Sequence, residues 1–311
     1  MPDTLDLLVI GECVADIVRL PGTADRVHPG GSPANVAYGL ARLGRTVTLL
    51  TQLGPDGHGA LIRRHLVSAG VDVRTDRSAA ATPSALVTLD DAGGAAYTFD
   101  VTWTLAATPP PRPPHHVHTG SIAAVAEPGA TTVRAAIESL RATATVSYDP
   151  NVRPDLMGDH ARAVRHAERC VALSDLVKAS DEDLAWLYPG RPPQRVAEDW
   201  IATGGPGLVL VTRGAAGALA VTAQGGTAIA APPTAVVDTV GAGDAFMSGA
   251  LHALAARGLL GPAGRDGLRA PDAGTRADVL RHAVAAAAVT VGRAGASPPD
   301  PAELQAVLAR V

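Results

Sequence analysis

Val237-Asp238-Thr239-Val240-Gly241-Ala242-Gly243-Asp244-Ala245-Phe246-Met247-Ser248-Gly249-Ala250-Leu251 joins a glycine-rich turn to a carboxylate and then to an apolar run. Gly241, Ala242 and Gly243 bring backbone close to something, and the residues after Asp244 continue as a buried helix. Such a turn at a helix start offers unpaired N–H groups and the positive end of the helix dipole, which suits an anion. A carboxylate is an odd neighbour for a bound phosphate unless it takes a proton from the group that attacks the phosphorus. That gives Asp244 the role of general base. The alternative is tight packing, with an acid that only complements the dipole. Two features weigh against it. Ala245, Phe246, Gly249, Ala250 and Ala253 place Asp244 at the mouth of a core, and Asp238 adds a second carboxylate to the turn.

Outward from that helix, strands and helices alternate. Apolar runs at 5–10 and 46–50 read as buried, parallel strands, and shorter ones at 117–119, 145–148, 176–178 and 208–212 continue the series. Helical spacing covers 34–43, 57–69, 130–142, 162–173, 193–203 and 276–291, with Gly44 and Gly70 closing two of these. The order predicts an α/β fold, a doubly wound, mostly parallel sheet flanked by helices. Two stretches, 15–27 and 84–104, break the rhythm with near-alternation and turn signals at Pro21-Gly22 and at 91–94. They predict antiparallel hairpins. We expect them to form a small sheet, discontinuous at about 12–29 and 84–106, that closes as a lid on a single domain over 1–311. Residues 109–114 are a proline-rich connector, and 261–274 read as a polar, glycine-rich loop.

Composition limits the function. The 311 residues are 47% apolar and 18% charged, enough for a sizeable core. A net charge of −4 argues against a nucleic-acid partner. Lys178 is the only lysine, which reads chiefly as base composition and leaves no candidate for a P-loop lysine. Cys13 and Cys170 have neither disulfide-framework nor metal spacing and are expected to be buried free thiols. The acidic start lacks a signal-peptide n-region, and the longest apolar stretch, 283–291, is far short of the roughly 20 residues of a membrane span. A cytoplasmic protein with no membrane partner is expected.

Two further constellations carry chemistry. In Gly30-Gly31-Ser32-Pro33-Ala34-Asn35 the glycines permit close approach and Asn35 can both donate to and accept from a ligand hydroxyl, although a capping turn would look the same. Asp16 could accept two sugar hydroxyls. Thr212-Arg213-Gly214-Ala215-Ala216-Gly217 ends a buried strand, where open α/β sheets bind ligands.

Together these segments resemble the ribokinase/PfkB sugar kinases. Gly30 to Ala37, with Gly44 and Gly54, is similar to their N-terminal signature, and Asp238 to Phe246 to their C-terminal one. The likeness runs from Leu7 to Pro299 and implies a ribokinase-like fold. It implies that Asp244 is the general base and that the N–H groups of Gly241, Ala242 and Gly243 form the anion hole. Asp16, Gly30, Gly31 and Asn35 would contact the sugar. Thr212, Gly214, Gly217 and Ser180 would line the ATP site, with Gly295 in an adenine-side loop. Carbonyls of Val240 and Arg293, with Asp238, would hold a monovalent cation such as K+. Asp149-Pro150-Asn151-Val152-Arg153 and the Tyr97-Thr98-Phe99 strand resemble fructokinase-like members, and Arg153 would reach a phosphate or an anionic sugar group, or else bind a carbonyl structurally.

One departure concerns the metal. Relatives carry Asn-x-x-Glu after this strand, where the chain has Ser180-Asp181-Glu182-Asp183, so Asp183 would organise Mg2+ through water on a shorter arm, or Glu182 would substitute. The expected activity is ATP-dependent phosphorylation of a sugar hydroxyl, fructose first. Ribose, 2-keto-3-deoxygluconate or a nucleoside are alternatives, and a non-catalytic sugar sensor is the reading from another class. A dinucleotide-dependent oxidoreductase fails, because Gly11 is followed by Glu12-Cys13-Val14. Apolar Ile17, Val18, Leu20, Leu86, Val87 and Leu89 in the lid strands would serve the sugar or a homodimer interface.

Overall fold

Along the buried strands, side chains alternate between two apolar layers, as a sheet covered on both faces requires. The computed structural model describes residues 5–20, 22, 24–76, 80–89 and 95–310, so the turn signals at Pro21 and 91–94 lie outside the described residues. The strands are β1 (Asp6–Ile10), β2 (Val14–Arg19), β3 (Arg26–Gly30), β4 (Thr46–Thr51), β5 (Asp72–Thr75), β6 (Ser84–Leu89), β7 (Ala95–Asp100), β8 (His116–Gly120), β9 (Thr145–Asp149), β10 (Leu176–Ser180), β11 (Leu208–Thr212), β12 (Ala218–Thr222) and β13 (Gly225–Ile229). The helices are α1 (Ser32–Arg42), α2 (Gly57–Ser68), α3 (Gly129–Leu140), α4 (Pro154–Met157), α5 (His160–Leu173), α6 (Asp181–Leu187), α7 (Pro193–Ala202), α8 (Ala242–Ala256), α9 (Arg265–Arg269), α10 (Ala273–Val291) and α11 (Pro301–Leu308).

Nine strands form the main sheet in the order β13-β12-β11-β10-β9-β8-β1-β4-β5. All neighbours are parallel except β11–β12 and β12–β13. Leu7, Val9, Leu176, Leu208 and Leu210 face one layer, with apolar residues of α1, α2, α8 and α10. Val177, Ala179, Val209 and Val211 face the other, with α5, α6 and α7. Cys13 and Cys170 are buried and unpaired, as expected.

The two predicted hairpins, β2–β3 and β6–β7, are both antiparallel, and they join through a parallel β2–β6 pairing into a separate four-stranded sheet. β3 ends at Gly30, one residue from the cap of α1, so this small sheet is attached directly to the helix that carries Ser32 and Asn35. The expected loop at 261–274 holds α9 and the start of α10. No described helix is long and apolar enough to cross a membrane.

Candidate active site

Two helix N-termini meet at the carboxyl edge of the sheet. Gly241 caps α8 in the left-handed conformation (φ 75°, ψ 2°) with no side-chain cap, and Asp244 is the third helical residue. The Asp244 carboxylate is buried, and α1 supplies its partners. Ser32 Oγ donates to Oδ1 at 2.6 Å and Asn35 Nδ2 donates to Oδ2 at 2.8 Å. Two segments more than 200 residues apart thus fix one carboxylate in both position and orientation. Ala242 N–H donates to the Thr239 carbonyl at 3.2 Å, so the expected three-amide anion hole loses that member. The amides of Gly243 and Asp244, in the first turn, have no intrahelical acceptor.

Asp16, on β2, sits beside Gly30 of β3. A Cβ built on Gly30 would collide with the Asp16 carboxylate. Burial pushes the Asp16 carboxyl up to about 6; the charge of Arg153 opposes that and the charge of Asp244 adds to it. Arg153 is exposed, and its Nη1 donates to the carbonyls of Val152 (2.9 Å) and Asn151 (3.3 Å), which is the structural alternative set out from the sequence. Its electrostatic reach extends to Asp16 and Glu12. Gly31 caps α1 with φ 99°.

Ser180 and Thr212 are paired at the ends of the parallel strands β10 and β11, and the exposed Gly214 and the buried Gly217 follow in the turn to β12. The Gly295 amide donates to Asp238 Oδ2 at 2.8 Å, and the Val240 amide donates to Asp238 Oδ1 at 3.0 Å. A Cβ on Gly241 would stand 2.5 Å from Ala296 Cβ, so the 294–296 loop packs directly on the glycine turn. Asp238, Val240, Gly295 and Arg293 are therefore gathered in one place.

Asp183 is held by hydrogen bonds within the fold. Its Oδ2 accepts from the Ser180 amide (2.8 Å) and its Oδ1 from the Val152 amide (2.7 Å), while Ser180 Oγ accepts from the Asp183 amide. The Ser-x-x-Asp pattern here is the capping box of α6. Water bound to the remaining lone pairs is the only route left from Asp183 to magnesium. Glu182 is exposed.

Three residues at the site had no role in the sequence reading. Ser32 was quoted only as part of a turn. Glu12 is 1% exposed and accepts from the Ala123 amide at 3.0 Å; burial pushes its carboxyl up to about 7. Lys178 forms a buried ion pair with Asp149 at 2.8 Å. Burial alone would lower the lysine, but Asp149, Asp183 and Asp244 outweigh it and hold the ammonium charged. The sequence signal for the pair was available: polar residues at alternate positions of otherwise apolar strands.

The pfkB family carbohydrate kinase model matches residues 4–303. The chain is 38% identical to the fructokinase of Salmonella typhimurium, over 81% of this chain and 85% of that protein. Its fold is similar to a double-mutant fructokinase from Vibrio cholerae O395 bound to fructose, ADP and potassium (TM-score 0.81, 27% identity, 98% of each chain). It is also similar to the aminoimidazole riboside kinase of Salmonella enterica complexed with aminoimidazole riboside and an ATP analogue (TM-score 0.79, 27% identity, 97% of this chain and 99% of that one). The chain belongs to the pfkB family of carbohydrate kinases and is a phosphotransferase that acts on a sugar hydroxyl with ATP as donor.

Proposed function

We propose that this kinase phosphorylates fructose, with Asp244 as the base that takes the proton of the attacking hydroxyl. The observation that carries the assignment of the base is the double hydrogen bond from Ser32 and Asn35. It aims a buried carboxylate at the mouth of a helix N-terminus whose Gly243 and Asp244 amides have no acceptor among the described residues. Phosphoryl transfer depends on placement and charge stabilisation, and this arrangement supplies both. Asp16 accepts sugar hydroxyls from the small sheet, the Oδ1 of Asn35 is left for a hydroxyl, and the guanidinium of Arg153, whose charge acts on Asp16, would reach an anionic sugar group or a phosphate. Gly30 and Gly31 let the sugar approach the turn between the sheets. The support for fructose is the identity with fructokinases and the shared Asp-Pro-Asn-x-Arg pattern at 149–153.

The small sheet acts as a lid, because β3 leads straight into α1 and any tilt of the sheet moves Asp16 against Asp244. The half-buried apolar residues of its strands would bury further in a homodimer, which sedimentation tests. ATP lies along Ser180, Thr212 and the 214–217 turn, with adenine near Gly295. Among the described residues no three His, Cys, Asp or Glu side chains gather as a metal cluster, so Mg2+ would arrive on ATP with phosphate oxygens and water as its ligands. Asp238 ties the Val240 and Gly295 segments together through their amides, and backbone carbonyls of Val240 and Arg293 near that turn would be the ligands of a monovalent cation such as K+.

A coupled ADP-release assay over fructose, ribose, 2-keto-3-deoxygluconate and aminoimidazole riboside, with and without potassium, tests the proposal. The highest kcat/KM is expected with fructose. A higher value on another acceptor transfers the assignment to it, and no turnover on any of them leaves the sensor reading.

A further inference from the structure

Of 26 basic residues in this chain all but one are arginine, and the exception, Lys178, stands on the third position of β10. The parallel register pairs Leu176 with Ser147, which puts Lys178 beside Asp149 on the sheet face that carries α8. Lys178 is 3% exposed. Its Nζ donates to Asp149 Oδ2 at 2.8 Å, while Oδ1 of the same carboxylate accepts from the Asn151 amide at 3.1 Å. Asp149 is the single protein acceptor of the ammonium among the described residues, although an ammonium carries three donors. Buried donors left without acceptors are costly, so such groups are normally matched. The neighbour on that side is the start of α8: a Cβ built on Gly243 would stand 3.0 Å from Nζ. The ammonium therefore lies against the first turn of α8, where the Gly243 and Asp244 amides are also unclaimed.

We propose that Lys178 is the cation of the phosphoryl site. Its two free donors and the Gly243 and Asp244 amides together hold the transferring phosphoryl group, and Asp149 is the positioning residue that fixes the ammonium there. A compact ammonium suits this place, since even a methyl on Gly243 would press on it and a guanidinium fork is wider. The inference rests on the kinase assignment and on Asp244 as base. The competing account is that Lys178 only neutralises a buried Asp149.

The test compares the full-length wild type with Lys178→Met and with Lys178→Met/Asp149→Asn, which removes both charges and leaves no unpaired buried carboxylate. Removal of one preorganised donor from a charged transition state costs about 100-fold or more in kcat. That loss is expected in both variants, with the sugar KM within about threefold of wild type and with at least about tenfold weaker inhibition by ADP–aluminium fluoride. A double variant whose kcat stays within about threefold of wild type overturns the proposal, because the lysine then served only Asp149. Gly243→Ala keeps both charges and gives a second readout if the charge variants do not fold. Its kcat is expected to fall at least about tenfold at unchanged sugar KM, and an unchanged kcat counts against the lysine. Wild-type turnover separates the two levels: without it the kinase assignment fails, and with it an unaffected double variant removes only the role of Lys178.

Discussion

Asp244 gains its value from what holds it. Ser32 and Asn35 occupy one lone pair on each oxygen and leave the others for the sugar hydroxyl. Asp244→Asn keeps the size and most of the packing but cannot take a proton. We expect kcat to fall by at least about 100-fold while the sugar KM changes little, measured by ADP release. Near-normal turnover would remove Asp244 from the role of base. Asp16 answers to pH instead. Its carboxyl is raised to about 6 by burial, so the ionised acceptor is present above that value and is lost as pH falls through it. Between pH 7 and pH 5 its ionised fraction drops about tenfold, and the sugar KM is expected to rise by about the same factor. In Asp16→Asn that rise should disappear. A wild-type KM that stays flat over this window would show that the sugar does not bind the Asp16 carboxylate.

At the scale of elements, α8 is the part on which the site depends, and it is pinned on two sides. Ser248 meets Gly39 of α1, and Gly249 meets His282 and Ala286 of α10. A Cβ on Gly249 would stand 2.8 Å from the His282 carbonyl and 2.9 Å from Ala286 Cβ. Gly249→Val should therefore push α8 away from α10, with a stability loss of about 1–3 kcal/mol read by denaturant melts. The same elements show what the sequence reveals. Strands β1, β4, β9 and β11 and helices α1, α2 and α5 were legible within a residue or two, because long apolar runs and helical spacing are set by burial alone. β12 and β13 were not, since Ala218-Leu219-Ala220 and Gly225-Gly226-Thr227 have weak strand propensity and pair only because β11 offers an edge. The capping box of α6 was not legible as such, since a Ser and an Asp three residues apart suit a helix cap as well as a water-mediated metal contact, and only the hydrogen bonds show the cap. The glycine turn at 241–243 and the proposed base, Asp244, were legible from spacing. Lys178 and Asp149 each stand out as polar residues in apolar strands, but their pairing was not legible, because it arises from register between strands that are 29 residues apart.

Across the whole molecule, buried charge and buried imidazole pull stability in opposite directions with pH. His116 and His118 are fully buried on β8, bonded to Thr145 and Ser147, and burial lowers both to about 3. Their neutral forms favour the fold above the unfolded value near 6.5, and this stability is lost as pH falls, by about 1.4 kcal/mol per unit for each ring. Glu12 works the other way. Its folded carboxyl, raised from 4.5 to about 7 by burial, stays protonated where the unfolded chain ionises. Its contribution is therefore fully present below about 4.5 and is lost as pH rises through 7, a swing of about 3 kcal/mol. Gln at this position keeps an oxygen for the Ala123 amide and has no proton to lose. The difference in melting temperature, Glu12→Gln minus wild type, is thus expected to grow more positive from pH 5 to pH 8 in calorimetric scans. A constant difference over that range would mean that Glu12 ionises in the fold as easily as in the unfolded chain.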